Sequence, residues 1–235
     1  MTVKMKEMYM PKSRTEIATA LAIFFHGIGF VGMFFNKDFF IAATPFNLLL
    51  MFVLLLYTQQ KINWAFIIFM VVCFVIGIAV EIIGTSTGYL FGEYAYGKTL
   101  GLSFKNVPVL IGINWFIIIY CSGITVNRFL ENLSAKLETM TGAPSPATRF
   151  FSVVSDGAML AVFFDWILEP AAIKLGYWQW LGNGEIPTYN YLCWFIISLG
   201  LMSVFTFLKF EKKNIFAVNL LMIMMMFFML IRTFL

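Results

Sequence analysis

Charge is scarce in this chain: only 12% of its 235 residues are Asp, Glu, Lys or Arg, against about 25% in a soluble globular domain. Apolar residues replace them, at 61% of the total with 28 phenylalanines. They gather into long uncharged runs, which excludes an ordinary soluble domain and points to membrane-spanning helices. There is one histidine, His26. Membrane di-iron oxygenases need clusters of histidine ligands, so the sequence argues against oxygen insertion by iron and dioxygen. The three cysteines, Cys73, Cys121 and Cys193, all lie inside apolar runs. They read as small packing residues rather than disulfide partners or metal ligands. No G-x-x-x-x-G-K-[ST] is present, no G-x-G-x-x-G follows a strand, and no nucleic-acid module is recognisable. Neither cofactor, metal nor nucleic acid is expected.

The runs predict an all-α, polytopic integral membrane helix bundle of about seven transmembrane helices, forming a single domain over residues 1–235. The expected spans lie near 17–35, 39–57, 62–83, 107–126, 148–168, 190–208 and 214–234. No small-residue cleavage site follows the first run, so it is expected to be a span and not a removable signal peptide. With the N-terminus inside, 11 of the 16 Lys and Arg fall in inner segments and 5 in outer ones. That bias sets the N-terminus inside and the C-terminus outside, in a bacterial or archaeal cytoplasmic membrane. The inner segment 127–147, with Gly142, Pro144 and Pro146, reads as an exposed linker. The outer segments 84–106 and 169–189 are rich in Gly, Tyr and Trp. Such segments can dip into a membrane where they line a cavity.

Four acids stand in or beside the apolar runs: Glu81, Asp156, Asp165 and Glu169. An ionised carboxylate in hydrocarbon costs several kcal/mol, so an intramembrane acid is a functional-site hypothesis by default. Asp165 and Glu169 are four apart, on one helical face. Two acids that close cannot both ionise cheaply, so one is expected to hold a proton, the pattern of an acid paired with a base. Pro170 follows and is expected to end the helix. Glu81 lies on a stripe with Gly77, Gly84 and Gly88, whose small size would let another backbone approach. A snorkelling acid on a packing stripe is the competing account. Asp156 is nine residues before Asp165, two and a half helical turns, hence on the opposite face. It is expected to be structural, bonding Asn114, Asn127 or His26. Asn114 and His26 themselves read as hydrogen-bonded core residues. Most of the Tyr and Trp in the outer segments fit an interfacial aromatic belt. A compatible reading turns some of those ring faces inward to flank a cation.

The run Glu81-x-x-Gly84-x-x-x-Gly88-x-x-Phe91-Gly92-x-Tyr94-x-Tyr96, then Leu100-Gly101 and Val107-Pro108, resembles the CruF-type carotenoid biosynthesis proteins. So do Asp165-x-x-x-Glu169-Pro170, Trp178-x-Trp180, Ile186-Pro187, Asn190 and Trp194. The resemblance covers about residues 65–200. It implies a carotenoid 1',2'-hydratase, adding water across the terminal double bond of an acyclic end group without a cofactor. The partners it implies are a carotenoid within the bilayer, such as a γ-carotene-like pigment or bisanhydrobacterioruberin, and membrane lipid. The implied catalytic residues are Asp165, Glu169 and Glu81. One of the first two would donate the proton, and Glu81 would activate water or stabilise the cation. Tyr94, Tyr96, Trp178, Trp180, Phe91 and Asn190 would bind substrate. Two alternatives stand beside it. A carotenoid cyclase or isomerase would use the same protonation, and a proton-coupled transporter would use the acids as a relay. No internal repeat of the transporter kind is visible. A retinal protein of the usual form is excluded, since no lysine lies within the last span.

Overall fold

The computed structural model describes residues 12–137 and 145–235. Lys4, Lys6, Gly142 and Pro144 lie outside the described residues. The helices are α1 (Lys12–Met33), α2 (Lys37–Ala42), α3 (Thr44–Thr58), α4 (Trp64–Thr87), α5 (Leu110–Leu137), α6 (Pro146–Lys174), α7 (Thr188–Phe207) and α8 (Ile215–Phe234). Short strands β1 (Tyr94–Tyr96), β2 (Ser103–Phe104) and β3 (Val107–Pro108) separate α4 from α5, and β4 (Trp178–Trp180) separates α6 from α7. The architecture is the expected all-α polytopic membrane bundle.

Among the described residues, six helices are long and apolar enough to cross a membrane. The exception among the seven expected spans is the second. Asn36 caps α2 by accepting from the Phe39 N–H, and the chain then restarts as α3. Pro45, in the first turn of α3, has no N–H with which to continue the ladder of α2. The 15 residues of α3 reach only about 22 Å at 1.5 Å per residue.

Two further expectations fail. Residues 127–137 are helical, because α5 runs on to Leu137 instead of giving way to a linker at 127. Pro170 lies inside α6, which continues to Lys174. Proline deprives the Trp166 carbonyl of its usual N–H partner, but a helix packed in a membrane bundle tolerates that loss.

Helix α5 is the central element. Seven consecutive residues, Trp115 to Cys121, are fully or almost fully buried. A helix apolar on every side must be surrounded, and α3, α4, α6, α7 and α8 all pack on it. Helix α1 lies outermost, against α3 and α8. The connections sort to the two ends of the bundle. At one end the α3–α4 turn meets the α7–α8 turn: Gln59 Nε2 donates to the Glu211 carbonyl (2.9 Å) and Asn63 Nδ2 to that of Lys209 (3.0 Å). Tyr120 closes the same junction by donating to Gln59. At the other end Thr44 and Tyr177 share a hydrogen bond of 2.7 Å, and Lys174 Nζ donates to the Arg232 carbonyl (2.8 Å).

Candidate active site

At that second end, two loops far apart in sequence form one ribbon. Strands β1 and β4 pair antiparallel, Tyr94 opposite Trp180 and Tyr96 opposite Trp178. Alternate residues of a strand share a face, so Y-x-Y and W-x-W place four rings on one side. The ribbon is tied at both edges: the Gly97 N–H donates to the Tyr177 carbonyl and that of Leu181 to Glu93, each at 2.8 Å. No side chain fits at Gly97, because the Gly176 carbonyl oxygen occupies that space.

The four rings act through their polar edges. Tyr94 and Tyr96 both donate to Oε2 of Glu81, the second at 2.7 Å, and Trp115 Nε1 donates to Oε1 at 3.0 Å. Trp178 and Trp180 each donate from Nε1 to Oε2 of Glu169 at 3.0 Å. Asp165 accepts from Asn190 Nδ2 at 2.9 Å. All three acids are at most 5% exposed. The phenols of Tyr94 and Tyr96 are pushed well above their ordinary range, by burial first and by neighbouring Glu81 second. They therefore remain O–H donors at any physiological pH.

Glycines shape the approach to Glu81. A Cβ at Gly77 would lie 2.6 Å from Trp115 Cγ, and one at Gly84 would lie 2.8 Å from the Tyr94 hydroxyl and 2.9 Å from the Phe91 ring. The stripe thus admits rings at Gly77 and Gly84, and at Gly84 it also admits backbone, the Leu90 carbonyl oxygen lying 3.1 Å from such a Cβ. Gly88 contributes differently, since at φ 68° it ends α4 in the left-handed conformation. Phe91 also has a positive φ of 67° and is held there by its N–H on Cys193 Sγ (3.4 Å). A non-glycine residue in that region costs about 1–3 kcal/mol and persists only where its surroundings impose it.

All nine site residues expected from the sequence surround one small cavity of about 30 Å³. Polar groups line it, and the volume has room for a water molecule. Trp115, Trp194 and Asn114 line it too. The indoles of Trp115 and Trp194 stack at 3.9 Å with 8° between planes. Trp115 and Asn114 carry no motif in the sequence. The available signal was a tryptophan inside an apolar run, since a buried indole N–H needs an acceptor. An adjoining apolar cavity of about 350 Å³ shares Ile111, Asn114, Leu168 and Trp178 with the first.

Tyr94, Tyr96, Trp178 and Trp180 are among the rings that turn inward and not part of a belt, and they meet the buried acids by their O–H and N–H edges. Tyr89 and Tyr189 remain exposed. Asp156 is exposed and lies 3.3 Å from Ser155 Oγ. It bonds none of Asn114, Asn127 and His26: Asn127 pairs with Glu131 and Arg149, and His26 with the Ala22 carbonyl. Among the described residues the only ion pair is Arg149–Glu131, at the opposite end of α6. No group of three His, Cys, Asp or Glu placed to hold a metal ion occurs among them either.

A bisanhydrobacterioruberin hydratase of Haloarcula japonica is 25% identical over 134 residues, covering 54% of this chain and 40% of that protein. The matched stretch is thus well under half of that relative's length. No solved structure matches. The family model described as "Carotenoid biosynthesis protein" matches residues 43–235, from α3 to the C-terminal residue, and the chain belongs to that family.

Proposed function

We propose that this membrane protein is a carotenoid hydratase, adding water across the terminal 1',2' double bond of an acyclic end group. The observation that carries the proposal is a cluster of three buried carboxyl groups around a water-sized cavity, with an apolar cavity beside it. No described cation pairs with any of the three. Buried anions without counter-ions are costly, so the cluster is suited to hold protons, and a cationic partner would stabilise a carboxylate within it.

The hydrogen bonds support a division of roles. Glu81 receives three donors spread over both oxygens, and hydrogen bonds to the anion favour the anion. Asp165 receives one, which suits it to carry the proton. Its O–H bond breaks as a C–H bond forms at the less substituted alkene carbon. The π electrons supply that bond, leaving a tertiary carbocation that faces Glu81 and the tryptophan stack. The oxygen of a water in the small cavity bonds to the cation, and its surplus proton passes to Glu169. Glu169 lies one helical turn from Asp165 and returns the proton to it, so the sum is alkene plus water giving a tertiary alcohol. General acid catalysis of this kind contributes about 10²–10⁴-fold, and electrostatic stabilisation of the cation adds to it. The cyclase and isomerase alternatives share the protonation, but they make no use of a polar cavity beside the acids.

With the positive-rich loops inside, the ribbon end lies outside, and the end group would react in the outer half of the membrane. Expression in cells that accumulate an acyclic carotenoid should give the tertiary alcohol without oxygen. The double variant Asp165→Asn with Glu169→Gln should lose it while inserting in the membrane normally. Hydroxylation that requires oxygen, or full activity in the double variant, refutes the proposal.

A further inference from the structure

The family match begins at residue 43, so α1 and α2 lie outside it. Yet these helices build one wall of the larger cavity. Helix α1 supplies Phe25, Ile28 and Gly29, and α2 supplies Phe39 and Phe40. On that side the lining reaches the surface of the bundle: Phe39 is 63% exposed, and Phe46 of the adjoining α3 is 75% exposed. In a membrane this surface meets lipid. On its other side the same cavity touches the acids' cavity through Ile111, Asn114, Leu168 and Trp178. The larger cavity therefore runs from the lipid-facing surface to the wall it shares with the cavity of the carboxyl cluster.

We infer that α1 and α2 form a lateral portal that admits a long acyclic isoprenoid chain from the bilayer, and that Gly29 sets which chains fit. The inference rests on the acids being the reaction site. The occupant follows from the cavity's chemistry and from where it ends: mostly apolar walls, no Asp, Glu, Lys or Arg in the lining, and an inner end beside the acids' cavity. Its 350 Å³ lies within the usual range for ligand sites, about 300–1,000 Å³. It would hold the part of the chain next to the reacting end, and the remainder would stay in lipid.

Two glycines of α1 play opposite parts. At Gly32 the Phe40 ring occupies the space a Cβ would need, which clamps α2 onto α1. At Gly29 an added Cβ meets only Phe227, at an ordinary 3.7 Å. Larger side chains there would grow into the cavity without displacing the backbone. Gly27 is exposed with nothing within 4 Å and serves as a control on the same helix.

The test compares Gly29→Ala, Gly29→Leu, Gly29→Phe and Gly27→Leu, purified in lipid nanodiscs, with melting temperature as the check on folding. Each is titrated with a long acyclic polyene hydrocarbon and with a short acyclic alkene bearing the same trisubstituted end group. Binding is read from quenching of tryptophan fluorescence, to which Trp178 contributes, and turnover from product mass. Overfilling of this kind should weaken polyene binding about tenfold in Gly29→Phe, less in Gly29→Leu and hardly in Gly29→Ala. Turnover of the short alkene should fall less than polyene binding does, and Gly27→Leu should match the parent throughout. If Gly29→Phe fails to fold, Gly29→Leu carries the comparison. The inference is overturned if folded Gly29→Leu and Gly29→Phe bind polyene as tightly as the parent, or if both ligands weaken equally. Graded polyene binding without turnover of either compound by the parent would support the portal while refuting the hydratase reading.

Discussion

Glu81, Glu169 and Asp165 accept three, two and one hydrogen bonds from the described residues. That gradient is why a single substitution can separate charge from structure at Glu81. A glutamine there can turn its carbonyl to the Trp115 N–H and its amide to the two phenols, whose hydroxyls accept as readily as they donate. Glu81→Gln should therefore fold and melt close to the parent, while turnover falls about 10²–10³-fold with the loss of the charge facing the cation. Glu81→Leu should also melt markedly lower, since each buried donor left unpaired costs about 1–3 kcal/mol. Turnover and melting curves of the two variants check this, and full turnover in Glu81→Gln would remove Glu81 from the reaction. The sequence made the acids legible, because charge in an apolar run is costly wherever it falls and an i, i+4 pair shares a face. It could not show that the rings serve by their edges. A tyrosine beside an acid in sequence is compatible with either a ring face toward a cation or an O–H toward a carboxylate.

At the scale of elements, the β1–β4 ribbon and the glycine face of α4 position the acids. The Y-x-Y and W-x-W alternation carries a strand signal of period two. Their pairing joins loops more than 80 residues apart, and no local pattern encodes a partner at that distance. The break at Ala43 was obscured because α2 and α3 together form one apolar run of spanning length. Helix α4 offers a sharp test. Gly77→Ala would put a methyl group 2.6 Å from Trp115 Cγ, shifting the indole from Glu81 and from its stack on Trp194. Turnover should fall about tenfold or more with a loss of about 1–3 kcal/mol in stability, as in other overpacked cores. Gly200→Ala, on the exposed side of α7 with nothing within 4 Å, should keep full turnover and gain about 0.5–1 kcal/mol from helix propensity. Chemical denaturation of the two variants, alongside turnover, distinguishes packing at the site from a general intolerance of added methyl groups.

At the scale of the molecule, the contacts at both ends sort the connections into two sets, in agreement with the alternation read from the sequence. The charge bias then proposes which set faces the cytoplasm. The three native cysteines are buried, so introduced ones report alone. In intact cells a membrane-impermeant thiol reagent should label Ser103→Cys, in the exposed β2–β3 hairpin, and should label Lys61→Cys, in the exposed α3–α4 turn, only after permeabilisation. The reverse pattern would place the acids on the cytoplasmic side. The proposed reaction is protonation of a carotenoid alkene by buried carboxyl groups, with capture of the cation by water. The most direct measurement is turnover of an acyclic carotenoid by the purified protein, without oxygen, in water labelled with oxygen-18 or deuterium. Hydration should give a tertiary alcohol whose hydroxyl oxygen comes from the labelled water, with one deuterium on the adjacent carbon. A product isomeric with the substrate, or a hydroxyl formed only when dioxygen is supplied, would contradict it.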